Sequence, residues 1–153
     1  MTPPIADLAH RLRPLVFRLY HQVRRQTSPQ LTLTLTQGSV LSELVNGGER
    51  RMSALAELER VKLPSMTDVV GRLERLGLAA RRPDPADRRA VLVEVTDEGR
   101  RFYAELIAAR EEFLRERLIA MDDADRAAIE AALPALAKLL VDTKKEEMIS
   151  DER

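Results

Sequence analysis

Four arginines flank a Pro-Asp-Pro turn in the stretch RRPDPADRRAVLVEVTDEGR, residues 81–100. One pair precedes the turn, and the second pair, Arg88 and Arg89, follows it. The valines of residues 91–95 then alternate with other side chains, a period of two that predicts a β-strand. The stretch is therefore predicted to form a β-hairpin with a basic tip. Guanidinium groups at such a tip suit contacts with phosphates and with the edges of bases.

The segments before this hairpin predict three helices that could position it. Apolar residues three or four apart predict a first helix over residues 5–26. Thr34 and Gln37 match a capping box and start a second helix that ends near Asn46. A short third helix follows Ser53 as its cap. The residues of this third helix that are expected to face inward are Leu55, Leu58 and Val61.

A fourth helix and two long C-terminal helices complete the predicted elements. Pro64 suits the first turn of the fourth helix, and Gly77 suits its C-terminal end. After the hairpin, Thr96 caps a fifth helix. Asp122 or Asp123 opens a final helix that runs to about Lys145. A short helix, a tight turn and a second helix are the helix-turn-helix arrangement, and a hairpin directly after it is a wing.

Composition excludes several classes of protein. The chain has 153 residues, a length that predicts a single domain, and it has no cysteine, which excludes disulfides and thiol chemistry. No apolar run approaches the ~18 residues of a membrane helix and no signal peptide is visible, so the cytoplasm is the expected compartment. His10 and His21 are about 16 Å apart on a helix and cannot share a metal ion. No catalytic constellation or cofactor motif is found, so an enzyme is not expected.

Charge is unevenly distributed although the formal net charge is zero. Residues 47–91 carry ten basic and seven acidic side chains, whereas residues 102–153 carry eight basic and thirteen acidic ones. A basic middle and an acidic C-terminal part suit a nucleic-acid contact that is confined to one part of the fold. Solvated helix faces are the alternative interpretation of the same charges.

The sequence resembles the MarR family of winged-helix transcriptional regulators. The D-x-R-R wing followed by a T-x-x-G helix start is the most specific part of this resemblance. The matching segments are LTLTQGSVLSEL (33–44), LAELERV (55–61), PSMTDVVGRLERLGL (64–78) and RRPDPADRRAVLVEVTDEGR (81–100). The resemblance implies a mainly α fold with a small β-hairpin wing. Within one domain spanning 1–153, dimerisation helices at 5–30 and 100–146 would surround a winged helix-turn-helix core at 33–98.

The fourth helix would be the recognition helix in the DNA major groove. A projection at 100° per residue places a polar face opposite its apolar stripe. The predicted DNA contacts of this helix are Ser65, Thr67, Asp68, Gly71, Arg72 and Arg75. An aspartate at position 68, where the family more often has a basic or neutral residue, would repel phosphate. Asp68 must therefore accept a hydrogen bond from a cytosine amine or pair with Arg72 or Arg75.

The predicted DNA contacts of the wing are Asp87, Arg88 and Arg89. The resemblance implies that Arg89 enters the minor groove and that Asp87 orients it, while Arg88 is assigned to phosphate. An intramolecular surface salt bridge is the alternative role of these charges.

The resemblance also implies an obligate homodimer, an inverted-repeat operator and a small effector. Helices one, five and six carry more apolar surface than a monomer can bury, as expected of a dimer. The family binds anionic aromatic or amphipathic molecules between the dimerisation helices and the winged-helix core, and Arg11, Arg18 and His21 are the candidates here. Ordinary surface charge is the alternative role of these three side chains.

The sequence therefore predicts a homodimeric, sequence-specific DNA-binding transcriptional regulator, a repressor that a small ligand releases from double-stranded DNA. A winged-helix dimer that binds proteins, with little affinity for DNA, is the alternative. Arg88 and Arg89 favour the first hypothesis, because a protein-interaction module needs no basic wing tip.

Overall fold

A computed structural model describes residues 4–25 and 33–140 of the chain. Within these residues the structure is mainly α-helical with one small antiparallel sheet, which confirms the predicted fold class. In chain order the elements are α1 (Ile5–Arg25), α2 (Leu35–Gly47), β1 (Arg50–Arg51), α3 (Met52–Leu58), α4 (Leu63–Arg75), β2 (Ala79–Pro83), β3 (Val91–Val95), α5 (Asp97–Ile119), α6 (Asp123–Ala137) and a 3₁₀ turn (Lys138–Leu140).

The chain divides into two compact units, Met1–Phe113 and Leu114–Arg153. The first contains α1, the helix-turn-helix, the sheet and most of α5. The second contains the end of α5, α6 and the 3₁₀ turn. The predicted extents of the terminal helices fall partly on residues 26–30 and 141–146, which lie outside the described residues.

Three helix starts follow from local capping, as the sequence predicts. The Thr34 hydroxyl accepts from the Gln37 backbone N–H at 3.2 Å, and the Gln37 side chain accepts from the Thr34 N–H at 3.0 Å, which forms the capping box of α2. The Thr96 hydroxyl accepts from the Gly99 N–H at the start of α5. The carboxylate of Asp122 accepts from the Asp125 N–H at the start of α6.

The sheet has the strand order β1-β3-β2, and both pairings are antiparallel. The predicted hairpin is β2 and β3, with Arg81 opposite Val93. The two-residue strand β1 was not predicted, because its pairing of Arg50 with Val93 joins residues far apart in the sequence. β1 leads directly into α3, so α3 begins at Met52 and Ser53 is not its cap, contrary to the sequence prediction.

The core of the first unit lies between α2, α3, α4 and the sheet. Its fully buried side chains are Val40, Leu41, Leu44, Leu55, Met66, Val70, Leu73 and Val93. Since Val93 belongs to the central strand and Met66 and Val70 belong to α4, one core holds the wing against the helix-turn-helix.

The orientation of α3 corrects one sequence prediction. Leu58 was expected to face inward, but it is the last residue of α3 and is 57% exposed. Glu59, four residues after the buried Leu55, is half-buried and lies outside the hydrophobic core. Its carboxylate accepts a hydrogen bond from the Ser39 hydroxyl at 2.5 Å, so the contact of this position with α2 is polar.

Candidate nucleic-acid interface

The helix-turn-helix is formed by α3 and α4, joined by a tight turn over residues 59–62. Arg60 has a φ of 54° there, a left-handed conformation that is uncommon for a residue with a side chain. The Val61 N–H donates to the Ala56 carbonyl at 3.0 Å and closes the turn. This turn fixes the crossing of α3 and α4 and exposes the far side of α4.

The polar face of α4 lies where its spacing predicts. Met66, Val70 and Leu73 are fully buried, and five of the six predicted contacts on this helix are exposed. These five are Ser65, Thr67, Asp68, Arg72 and Arg75. Gly71, the sixth, is half-buried. This helix therefore presents hydroxyls, one carboxylate and two guanidinium groups on a single surface.

Asp68 forms no ion pair with any residue in the described parts of the chain, Arg72 and Arg75 included. The sequence left two roles open for Asp68, an ion pair with Arg72 or Arg75 and a hydrogen bond with cytosine. The ion pair is not formed. The carboxylate remains exposed on the surface that would face DNA, and acceptance from a cytosine amine stays a prediction.

Gly71 lies beneath a guanidinium group. A Cβ atom at this position would be 3.3 Å from Nη2 of Arg81 and 3.5 Å from Nη1 of Arg75. The glycine therefore makes room for two arginine side chains on the helix surface, a contact that the sequence alone does not reveal.

The base of the wing is held by Asp84, a buried carboxylate that the sequence analysis did not single out. The Ala86 N–H donates to Asp84 Oδ1 at 2.8 Å, and the Arg51 Nε donates to Oδ2 at 2.8 Å. Nη2 of Arg51 lies 2.6 Å from the same oxygen and completes the ion pair. These donors, the Ala86 N–H first, hold the pKa of the Asp84 carboxyl below its ordinary value. Asp84 thereby ties the wing to β1, 33 residues earlier in the chain.

Asp87 shapes the tip of the wing through the backbone. Its Oδ1 accepts from the backbone N–H of Arg89 at 3.0 Å, and its carbonyl accepts from the Ala90 N–H at 2.9 Å. This Asx turn sets the direction in which the chain presents Arg89. The carboxylate of Asp87 thus acts on the backbone of Arg89, and the structure has no ion pair between the two side chains.

The four arginines of the hairpin divide into an inner and an outer pair. Arg81 pairs with Glu74 at 2.9 Å, while Arg82 pairs with Glu49 and, at 3.5 Å, with Glu94. Arg88 and Arg89 are exposed, and no carboxylate of the described chain lies within ion-pair distance of either. The outer pair is therefore available to a polyanion, whereas both arginines of the inner pair form ion pairs within the fold.

A cleft of about 350 Å³ separates the wing from α4. Leu63 and Thr67 line it on one side, and Asp87, Arg89 and Val91 line it on the other. Arg51 and Ser53, at the start of α3, and Arg81 complete the polar part of its wall. The cleft thus brings together three of the predicted contacts, Thr67 of the recognition helix and Asp87 and Arg89 of the wing, whereas the other predicted contacts do not line it.

The candidate effector residues do not line the cavity between α1, α2 and α5. Arg11 pairs with Asp7 at 3.7 Å, Arg18 is exposed, and His21 packs edge-on against Phe17. The cavity, about 220 Å³, has other polar residues. Its polar lining includes Tyr20, Arg24, Ser39, Ser42, Tyr103 and Arg110. Arg24 lies one helical turn beyond His21, so helical spacing could have indicated it. The place of Arg110 in the cavity depends on how α5 lies against α2, and spacing does not reveal that arrangement.

The protein has a helix-turn-helix, a basic wing, exposed polar side chains on α4, and a cleft between α4 and the wing. These features define a DNA-binding protein of the winged-helix class. Comparison with known proteins identifies the family. The model of the MarR family matches residues 33–91. A helix-turn-helix transcriptional regulator of Mycobacterium leprae is 38% identical over 135 residues, which cover 88% of this chain and 94% of the relative.

Solved structures are similar over the same extent. A transcriptional regulator of Pseudomonas aeruginosa is 32% identical, with a TM-score of 0.77 over 90% of this chain and 98% of the other. The regulator BpsR of Bordetella bronchiseptica, whose DNA binding is regulated by 6-hydroxynicotinic acid, is 28% identical, with a TM-score of 0.57 over 83% and 98%. The chain belongs to the MarR family of transcriptional regulators.

Membership in this family decides between the two hypotheses that the sequence leaves open. The protein is a DNA-binding transcriptional regulator and not an enzyme. Within the described residues, no helix is long and apolar enough to cross a membrane.

Proposed function

We propose that this protein is a homodimeric repressor that binds an inverted-repeat operator and leaves it when a small anionic ligand binds. The observation that carries the proposal is the cleft between α4 and the wing. Thr67 of α4 and Arg89 of the wing face each other across it, and exposed Arg72 and Arg75 on α4 and Arg88 on the wing add basic charge to the two elements. A DNA duplex is bound when an α-helix enters its major groove and basic side chains beside that helix contact its phosphates.

The apolar surface of the terminal helices supports dimerisation. All of α1 is described, and none of its residues is buried. Leu15, Val16, Phe17 and Leu19 are each more than half exposed, although α1 has a strongly amphipathic pattern. In the second unit, Leu133 and Leu139 are also more than half exposed. A soluble protein rarely leaves such surface in water, and a second copy of the chain would bury it.

Two-fold symmetry then determines the form of the operator. Two recognition helices related by a dyad would contact half-sites about one helical turn apart, which makes the operator an inverted repeat. A dimer on such a site covers about two turns of duplex, and its presence over a promoter would exclude polymerase. Repression by occupancy is the mechanism that we propose.

The cavity between α1, α2 and α5 is the proposed ligand site. Nε of Arg110 is buried and has no hydrogen-bond partner in the structure, and such a group favours an anion. Leu33, Leu35 and Leu106 supply apolar walls, and Tyr20 and Tyr103 supply aromatic ones. A small aromatic carboxylate matches this lining. 6-Hydroxynicotinic acid, which regulates the DNA binding of BpsR, is a compound of this class. This assignment replaces Arg11, Arg18 and His21 by Arg110 as the proposed anion contact.

Selection of random duplex DNA by the purified protein tests the proposal. An enriched inverted repeat is expected, and a purified duplex of that sequence then serves as the operator. Aromatic carboxylates such as benzoate and 6-hydroxynicotinate should release the protein from this operator, and Arg110→Met should abolish the release while leaving DNA binding unchanged. Absence of an enriched motif at both low and moderate salt would contradict the proposal.

A further inference from the structure

We infer that Arg81, which lies on β2 and outside the predicted wing tip, recognises a base in the DNA major groove and that Glu74 orients it for this contact. The inference depends on the sequence-specific DNA binding proposed above. It adds a specificity-determining residue to the recognition helix and the wing, and it gives the pairing of Arg81 with α4 a function.

Two contacts hold the Arg81 side chain, and a third holds its backbone. Its Nε lies 2.9 Å from Glu74 Oε2, and its Nη2 donates to the Thr67 carbonyl at 2.9 Å. The backbone N–H of Arg81 donates to the other Glu74 oxygen at 3.2 Å. A guanidinium fixed at Nε and at one Nη has a defined plane, so little conformational entropy remains to be lost when it binds.

The Arg81 guanidinium has N–H donors that these contacts do not use. Arginine has five N–H donors in a planar fork. In Arg81 one N–H on Nη2 donates to the Thr67 carbonyl, and Nε forms the ion pair with Glu74. One N–H on Nη2 and two on Nη1 are left. A planar pair of donors is the group that binds O6 and N7 of guanine in a bidentate manner.

The position of Arg81 places these donors on the DNA-facing surface. Its Nη2 lies over Gly71, beside the carbonyl of Thr67, on the helix face that is opposite the buried stripe of α4. Arg81 also lines the cleft between α4 and the wing, together with Arg89. The remaining donors of Arg81 therefore lie beside Thr67 and Arg89, two residues that are themselves predicted to contact DNA.

The neighbouring Arg82 provides a matched control. It has the same side chain, lies on the same strand and is also engaged by carboxylates, those of Glu49 and Glu94. Arg82 does not line the cleft. Because strand residues alternate between faces, Arg81 and Arg82 point to opposite sides of the sheet.

The test is the selection of random duplex DNA repeated with Arg81→Lys, Glu74→Gln and Arg82→Lys, with thermal unfolding of each variant. Lysine keeps the charge but not the planar fork, so Arg81→Lys should lose preference for guanine at one symmetric pair of operator positions, by about tenfold or more. Glu74→Gln should weaken the preference at the same pair, because it frees the orientation of Arg81. Arg82→Lys should retain the wild-type motif.

Each other outcome would overturn the assignment. If Arg81→Lys lowers affinity equally for all sequences, Arg81 contacts only phosphate. If it lowers the melting temperature and leaves the motif unchanged, Arg81 only holds β2 against α4. A wild-type protein that enriches no motif would contradict the proposed function itself, whereas a wild-type motif that survives in Arg81→Lys contradicts only the role of Arg81.

Discussion

Arg89 is the residue on which wing binding most depends. Its side chain is exposed, its backbone is positioned by Asp87, and it lines the cleft beside α4. Arg89→Ala should weaken operator binding by about 1–3 kcal/mol without lowering the melting temperature, since the side chain makes no ion pair within the described chain. Fluorescence anisotropy at fixed salt, with thermal unfolding in parallel, measures both quantities. Arg100→Ala is the control, because Arg100 lies at the start of α5, beyond the other end of β3. Equal operator affinity of Arg89→Ala and the wild type would refute the proposed DNA contact of Arg89.

Asp84 makes the stability of the wing depend on pH. The Ala86 N–H and the Arg51 guanidinium lower the pKa of its carboxyl in the folded state. The stabilisation is therefore complete above the unfolded-state pKa of about 4 and is lost as the pH falls through the lower folded-state value. Asp84→Asn should lower the melting temperature at pH 7, and its difference from the wild type should shrink below about pH 4. A difference that stays constant down to pH 2 would show that Asp84 does not titrate in this way.

The exposure of candidate site residues was predictable from the sequence where one element carries them. The polar face of α4 follows from helical spacing, and the exposed Arg88 and Arg89 follow from the hairpin. Asp84 was missed because its partner Arg51 is 33 residues away, and an ion pair between distant residues leaves no local pattern. The contact of Arg81 with the Thr67 carbonyl, 14 residues earlier, was missed for the same reason.

At the scale of elements, the T-x-x-G start of α5 has a steric cause. A Cβ atom at Gly99 would lie 2.1 Å from the carbonyl oxygen of Leu78 and 2.8 Å from a methyl of Val95, and a backbone carbonyl cannot move aside. Gly99→Ala should therefore destabilise the protein by about 3 kcal/mol or more. Gly38→Ala is the matched control, because a Cβ there meets nothing within 4 Å and helical alanine is favoured over glycine by roughly 0.5–1 kcal/mol. Chemical denaturation measures both, and a Gly99→Ala variant as stable as the wild type would contradict this packing.

The elements that the sequence predicts well begin with a local signal. Thr34, Thr96 and Asp122 each cap a helix with a hydrogen bond to a residue three positions on, so the necessary information is contiguous. β1 and the exposure of Leu58 were not predictable in this way. The first depends on pairing with β3, and the second depends on how α3 packs against α2, where Ser39 bonds to Glu59.

At the scale of the whole molecule, a net charge of zero does not oppose DNA binding. The basic excess lies within residues 47–91, which contain the helix-turn-helix and the wing, and the acidic excess lies within residues 102–153. If six or more phosphates are neutralised, operator affinity should fall roughly a thousandfold between 50 and 200 mM salt. The slope of log affinity against log salt, measured by anisotropy, should become shallower in an Arg88→Ala, Arg89→Ala double variant. An affinity that is independent of salt would exclude phosphate contacts as its main source.

Dimerisation is the property on which the other whole-molecule proposals depend, and Phe17 offers the sharpest test of it. This side chain is 62% exposed on α1, next to Val16 and within an apolar depression that also contains Leu12. In a dimer that buries this surface, Phe17→Glu would place a charge in an apolar interface, at a cost that separates the two copies. We expect the wild type to be dimeric and Phe17→Glu to be monomeric at micromolar concentration by sedimentation.

The operator affinity of Phe17→Glu should fall with its dimerisation, because a monomer binds one half-site and loses the effective concentration that the partner supplies. Leu58→Glu is the matched control, since Leu58 is 57% exposed on α3 and outside the terminal helices. It should remain dimeric and folded. If Phe17→Glu sediments as a dimer and keeps its affinity, then α1 does not form the interface, and the exposed apolar residues of α6 become the surface to change next.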